Sequence, residues 1–114
     1  MGIGSLISRL VGGGAATASH DELKAAAATG SATIIDVRER NEFAGGHIPG
    51  ALNLPLSAFD PAAVPAGKPA ILICLSGARS GRAAAECARA GRGDVRNFSG
   101  GMAVWRLQGG AVTR

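Results

Sequence analysis

The apolar residues of this chain fall into short runs that alternate with alanine-rich segments and glycines. Two of the runs, at 32–37 and 70–73, are dominated by branched aliphatic residues, as in buried parallel strands. Shorter runs predict two more strands, at 51–54 and 94–98. Because helical segments separate these strands, the pattern predicts an α/β fold with a small parallel sheet and helices on both faces.

Start and stop signals predict where the helices lie. Ser19 followed by Glu22 is a capping box, so a helix is expected to begin there, continue to Thr29 and end at Gly30. Three further helices are expected, each followed by glycine: 38–44, 80–90 and 100–107.

The first 18 residues have a different pattern from the rest. Apolar residues repeat there at helical spacing and are followed by three glycines; they are Ile3, Leu6, Ile7, Leu10 and Val11. Since a single short helix is marginal without packing, we predict a tail over 1–18 and one domain over 19–114. A further hypothesis is that this weak stripe docks on the domain, on a second copy or on a membrane surface.

Composition and charge narrow the classes of partner. The net charge is +4, but the basic residues are spread along the chain without interleaved aromatics, so we expect no nucleic-acid partner. No apolar run approaches the ~20 residues that span a bilayer, so we expect no transmembrane segment. The oligomeric state is left open.

The two cysteines, Cys74 and Cys87, are too few for a disulfide framework, which favours reduced thiols and a cytoplasmic location. There is no CxxC pair and the two histidines lie far apart in sequence. We therefore expect neither a metal site nor a cofactor.

Cys74 follows the most apolar predicted strand, and in parallel α/β folds ligands bind at that end of the strands. Gly77 allows a tight turn with inward-pointing N–H groups, and the next helix adds the positive end of its dipole. With Arg79, these features should lower the pKa of the thiol. The alternative is that Cys74 is simply a small buried apolar residue. The candidate anion-binding loop after Cys74 comprises Leu75, Ser76, Gly77, Ala78, Arg79 and Ser80.

Four motifs resemble those of the rhodanese family, between about residues 19 and 112. In chain order they are Ile34-Ile35-Asp36-Val37-Arg38 with Glu42-Phe43, Gly46-His47-Ile48-Pro49-Gly50-Ala51-Leu52-Asn53, the segment from Cys74 to Ser80, and Gly100-Gly101-Met102-Ala103-Val104-Trp105. The resemblance implies a rhodanese-like fold and a sulfurtransferase. In such an enzyme Cys74 would take a sulfane sulfur from thiosulfate, a polysulfide or a low-molecular-weight persulfide, hold it as a persulfide, and pass it to cyanide or a thiol.

The resemblance also assigns roles around the loop. Asp36 and Arg38 are expected to support it from a neighbouring strand end, with Asp36 paired to Arg79. The two-domain thiosulfate enzymes of the family carry cations where Leu75 and Ser76 stand here, and Glu42 occupies a position where a cation would help. Thiosulfate as the physiological donor is therefore left open.

Three conspicuous residues are expected to be structural. His47 should hold a turn by hydrogen bonds, Trp105 should pack in the core, and Cys87 should fill the core from the helix after the loop.

Two other functions are kept as alternatives. Phosphatases and arsenate reductases on a related fold need one more residue between cysteine and arginine than the four found between Cys74 and Arg79. A persulfide carrier or reactive-sulfur sensor serving a protein partner would use Cys74 in the same first step as an enzyme.

Overall fold

Four parallel strands form the centre of the computed structural model, which describes residues 16–114. The strands are β1 (Thr33–Asp36), β2 (Leu52–Asn53), β3 (Ala70–Ile73) and β4 (Val95–Asn97). The helices are α1 (His20–Thr29), α2 (Arg40–Ala44), α3 (Ala78–Arg89) and α4 (Gly101–Leu107), with two 3-10 turns at Leu56–Ala58 and Pro61–Ala63. The predicted parallel sheet is confirmed.

The strand order β2-β1-β3-β4 places β1 and β3 at the centre of the sheet. Their register pairs Asp36 with Ile73, the last residues of the two strands. Both central strands therefore end at the same edge, and Cys74 follows β3 directly at that edge.

The core lies on both faces of the sheet because successive side chains of a strand point to opposite sides. Ile71 and Ile73 of β3 pack with residues of α1 and α4, whereas Ala70 and Leu72 pack with residues of α3. All four residues of β3 are buried. This two-sided burial explains why the sequence of β3 is continuously apolar rather than alternating, and it confirms helices on both faces.

Helix boundaries follow local capping chemistry. The capping box at α1 is present: the Glu22 N–H donates to Ser19 Oγ at 3.1 Å, and the Ser19 N–H donates to Glu22 Oε1 at 3.0 Å. Gly30 ends α1 in a left-handed conformation, with φ of 73°. The helix α3 begins two residues earlier than predicted because Gly77, with φ of 97°, serves as its N-cap. Arg79 and Ser80 therefore lie in its first turn.

Residues 16–18 lie along the free edge of β4. The Asn97 N–H donates to the Ala16 carbonyl and the Ala18 N–H donates to the Asn97 carbonyl, both at 2.9 Å. The apolar stripe from Ile3 to Val11 lies outside the described residues, so its docking and the predicted boundary at residue 18 stay predictions. Within residues 16–114, no helix is long and apolar enough to cross a membrane.

Candidate active site

Cys74 is held under a tight loop at the carboxyl end of β3. Its side chain is buried, and Sγ accepts a hydrogen bond from the Gly77 N–H at 3.1 Å. The turn needs a glycine at position 77: besides its positive φ, a Cβ there would lie 2.1 Å from the carbonyl oxygen of Ser99. The loop is therefore built to bring backbone N–H groups to the sulfur.

Opposing effects act on the pKa of Cys74. Burial raises it, because a thiolate loses its hydration. Hydrogen bonds to the thiolate from the Ser80 hydroxyl and from the backbone N–H groups of Ser80, Ser76 and Gly77 lower it by more, so the net pKa lies below the ordinary thiol value. The predicted direction is confirmed for the loop and helix groups, but Arg79, which was also expected to lower this pKa, is not among the largest causes.

The first turn of α4 fixes the backbone of the loop. The Met102 N–H donates to the Cys74 carbonyl at 2.8 Å, and the Ala103 N–H donates to the Leu75 carbonyl at 3.1 Å. Gly101, with φ of 65°, allows this approach, since a Cβ there would lie 2.3 Å from the Leu75 carbonyl oxygen. The glycine pair of the last motif thus positions the loop as well as starting a helix.

Arg79 is paired with Glu42 of α2 rather than with Asp36. Its Nη1 and Nη2 donate to the two Glu42 carboxylate oxygens at 2.7 and 3.1 Å. The hydrogen bond from Arg79 is the largest cause that lowers the pKa of Glu42 to about 2, against the opposing effect of burial. The predicted Asp36–Arg79 pairing is wrong.

The physical reason is that Asp36 already has a partner two residues away. Arg38 Nε contacts both Asp36 carboxylate oxygens at 3.0 and 3.1 Å, and Arg38 Nη2 donates to Asp36 at 2.8 Å and to the Gly46 carbonyl at 2.7 Å. Both side chains are buried. The pair ties the end of β1 to the turn at Gly46, and its support of the loop stays a prediction.

Asn97 of β4 is a site residue that the sequence analysis missed. Its Oδ1 lies 2.6 Å from Ser80 Oγ, and its Nδ2 donates to the Gly77 carbonyl at 3.3 Å. A signal was present, since asparagine is uncommon in buried strands and needs hydrogen-bond partners there.

The three residues expected to be structural have that role. His47 Nδ1 lies 2.8 Å from the Phe43 carbonyl, and the imidazole stacks on the Phe43 ring at 3.7 Å between centroids. Trp105 is buried and donates from Nε1 to the Ala111 carbonyl at 2.9 Å. Cys87 is buried in the core between α3 and the sheet. In the described part of the chain, no three His, Cys, Asp or Glu residues are grouped so as to hold a metal ion.

Comparisons with known proteins agree with this geometry. The sequence profile of the rhodanese-like domain matches residues 19–108. Thiosulfate:glutathione sulfurtransferase of Homo sapiens is 38% identical over 109 residues, with 81% of this chain and 94% of that protein covered. Uncharacterized protein YqhL of Bacillus subtilis is 45% identical over 76 residues, covering 65% of this chain, and the chain spans 60% of its length. The solved structure of the human single-domain sulfurtransferase TSTD1 has a TM-score of 0.69 at 35% identity, covering 86% of this chain and all of that one.

Proposed function

The chain belongs to the rhodanese-like domain family, and from this we propose that it is a sulfurtransferase in which Cys74 carries the sulfur as a persulfide. One observation carries the proposal: the Cys74 sulfur accepts a hydrogen bond from the Gly77 N–H at the amino end of α3. An anion at this position is stabilised by donors that need no rearrangement. Both the thiolate and the persulfide anion fit such a site.

The reaction follows from thiol exchange chemistry. The Cys74 thiolate attacks the outer sulfur of the donor, the bond between that sulfur and the rest of the donor breaks, and the donor leaves as sulfite or a thiolate. An acceptor thiolate or cyanide then attacks the outer sulfur of the Cys74 persulfide. The product leaves as a new persulfide or thiocyanate, and the Cys74 thiolate is regenerated without any external oxidant.

The class of donor follows from the charge at the loop. Among residues 74–80, Arg79 is the one cation. Both of its terminal guanidinium nitrogens donate to the Glu42 carboxylate. Thiosulfate, a dianion, would meet a neutralised pair. We therefore propose as the preferred donor a compound with no charged group bonded to the transferred sulfur, an alkyl persulfide such as glutathione persulfide, with thiosulfate loading more slowly. The human relative is named for thiosulfate and glutathione, so glutathione is the first acceptor to test.

The length of the loop disfavours the phosphatase alternative. Its backbone N–H groups converge on the sulfur itself, with the Gly77 nitrogen at 3.1 Å. A phosphatase loop must instead surround the oxygens of a tetrahedral ion beyond the sulfur.

Since both described cysteines are free thiols, we also propose a reducing, cytoplasm-like compartment.

Intact-mass measurement after incubation with each donor tests the assignment. The wild type and Cys87→Ser should gain about 32 Da, the mass of one sulfur atom, and lose it on addition of glutathione. Cys74→Ser should gain nothing. Glutathione persulfide should load faster than thiosulfate, and Glu42→Gln, which leaves Arg79 without its carboxylate partner, should narrow the difference.

Sulfur on the Cys74→Ser variant would overturn the assignment. Loading without turnover, measured as thiocyanate formed from cyanide or as persulfide formed from glutathione, would favour the carrier role over the enzyme.

A further inference from the structure

The hydroxyl of Ser80 has one proton and three acceptors within reach. Its oxygen lies 2.6 Å from Asn97 Oδ1, 3.3 Å from the Gly77 carbonyl and 3.4 Å from Cys74 Sγ. Ser80 is fully buried, and Asn97 and Cys74 are also buried. Because water does not reach this group, the single hydroxyl proton is donated to one of these three acceptors.

The orientation of the Asn97 amide decides that choice. Its Nδ2 donates to the Gly77 carbonyl at 3.3 Å, so its Oδ1 faces Ser80. The reverse orientation would place two carbonyl oxygens against each other at Gly77. An amide oxygen only accepts, so a contact of 2.6 Å to the Ser80 oxygen requires the hydroxyl proton between them. The proton therefore points away from the sulfur, and a lone pair of Ser80 Oγ faces Cys74.

The backbone holds Asn97 in this position from both sides. On one side it pairs in register with Leu72 of β3. On the other side its N–H and carbonyl are bonded to Ala16 and Ala18, each at 2.9 Å. The side chain is thus carried by a residue whose main chain is fully hydrogen-bonded.

We propose that Asn97 is a positioning residue of the active site, which competes with the Cys74 sulfur for the Ser80 proton. With a Cys74 thiol, the S–H donates to Ser80 and Ser80 donates to Asn97. When the S–H proton leaves to an external base, the Ser80 hydroxyl turns to the sulfur and the short bond to Asn97 is lost. Asn97 therefore favours the thiol, and the amides of the loop favour the thiolate.

Charged groups near the loop also affect the ionisation of Cys74. Each of them is held by a partner of its own. Arg79 of α3 is bound to Glu42 of α2, and Glu39 precedes α2 with its carboxylate on the Ser57 hydroxyl at 2.6 Å. Asp36 at the end of β1 is bound to Arg38. Substituting an uncharged residue for Asn97 leaves all of these groups in place. A change in the Cys74 midpoint can therefore be assigned to the Ser80 hydroxyl.

The test is the rate of alkylation of Cys74 by iodoacetamide against pH, resolved by peptide mass spectrometry. In Asn97→Val, which removes both polar atoms, the midpoint should fall by about one pH unit, because the Ser80 hydroxyl no longer gives up a hydrogen bond to Asn97 when it turns to the thiolate. In Ser80→Ala the midpoint should rise. The double variant should match Ser80→Ala, because Asn97 acts only through the Ser80 hydroxyl.

A purely structural role for Asn97 predicts the opposite sign. Loosening the loop would raise the midpoint in Asn97→Val, as in Ser80→Ala, and the two effects would add. A raised or unchanged midpoint, or additive shifts in the double variant, overturns the proposal. Asn97→Ala carries the same expectation with less steric demand, and thermal melting verifies that each variant is folded. Alkylation needs no sulfur donor, so the outcome is independent of the proposed sulfurtransferase activity.

Discussion

Two buried cysteines in one core differ in acidity because of the hydrogen-bond donors around them. Cys74 and Cys87 belong to the same apolar cluster beside α3. Burial raises the pKa of Cys87, but at Cys74 the same effect is outweighed by hydrogen bonds from the Ser80 hydroxyl and from N–H groups at the start of α3. The first N–H groups of a helix have no partner within it, whereas those near Cys87 are used by the helix itself. Cys74 faces the unpartnered N–H groups at the start of α3 and Cys87 lies within that helix, so the two thiols have pKa values shifted in opposite directions.

The pKa values of the two thiols should be shifted in opposite directions from the ordinary thiol value, that of Cys74 downward and that of Cys87 upward. The Cys74 thiolate should persist to lower pH, so its alkylation at neutral pH should be much faster than that of Cys87. Peptide-resolved alkylation of the folded protein across pH measures both midpoints in one sample. In denaturant the two should converge, and coinciding midpoints in the folded protein would contradict the assigned role of the helix terminus.

At the scale of elements, the active loop depends on glycines whose neighbours leave no room for a side chain. Gly77 and Gly91 flank α3 and both have positive φ, at 97° and 91°. A Cβ at Gly77 would collide with the Ser99 carbonyl, whereas nothing lies within 4 Å of one at Gly91. A residue with a side chain would be strained at either position, but only at position 77 would its Cβ also collide with a neighbour.

Gly91→Ala should therefore lower the free energy of unfolding by about 1–2 kcal/mol, the cost of a left-handed alanine. Gly77→Ala should cost more, and it should also slow alkylation of Cys74, because the Gly77 N–H would move away from the sulfur. Urea unfolding and the alkylation rate at pH 7 measure the two effects. Equal losses of stability with unchanged alkylation would show that the loop tolerates a side chain at position 77.

The elements that the sequence predicted correctly are those with local signals. The helix start at Ser19 and Glu22 and the strand β3 are each identified by residues that lie within the element itself. The partner of Arg79 lies 37 positions away on α2, and local pattern holds no information about that distance. The predicted Asp36–Arg79 pair overlooks a nearer partner, because Arg38 lies two residues from Asp36 and binds its carboxylate. At Asn97 the unusual residue type was visible, but its contact with Ser80 depends on the packing of β4 against α3.

At the scale of the whole molecule, the Arg79–Glu42 pair joins α2 to α3. It should make the free energy of unfolding depend on pH in the acid range. The pKa of Glu42 is lowered from 4.5 to about 2. A carboxylate whose pKa falls on folding contributes stability that is fully present above pH 4.5 and is lost as the pH falls toward 2. This contribution belongs to the folded arrangement of two helices rather than to either one.

Glu42→Gln should accordingly lower the melting temperature relative to the wild type above pH 4.5, and the difference should shrink toward pH 2. Differential scanning calorimetry between pH 2 and 7 measures it. The matched control is Asp60→Asn, since the Asp60 side chain caps a 3-10 turn without an ion pair to Arg79. A difference between Glu42→Gln and wild type that stays constant with pH would mean that the pair contributes no linked stability.

The hydrogen bonds from α4 to the loop make opening of the loop measurable by amide hydrogen exchange. The amides at the start of a helix ordinarily exchange with solvent quickly because they lack helical partners. Here the Met102 and Ala103 amides are bonded to the carbonyls of Cys74 and Leu75. Their deuterium uptake is therefore governed by separation of the loop from α4 rather than by fraying of the helix. Protection factors at these two positions would therefore report how often the loop after Cys74 opens, with and without a bound ligand.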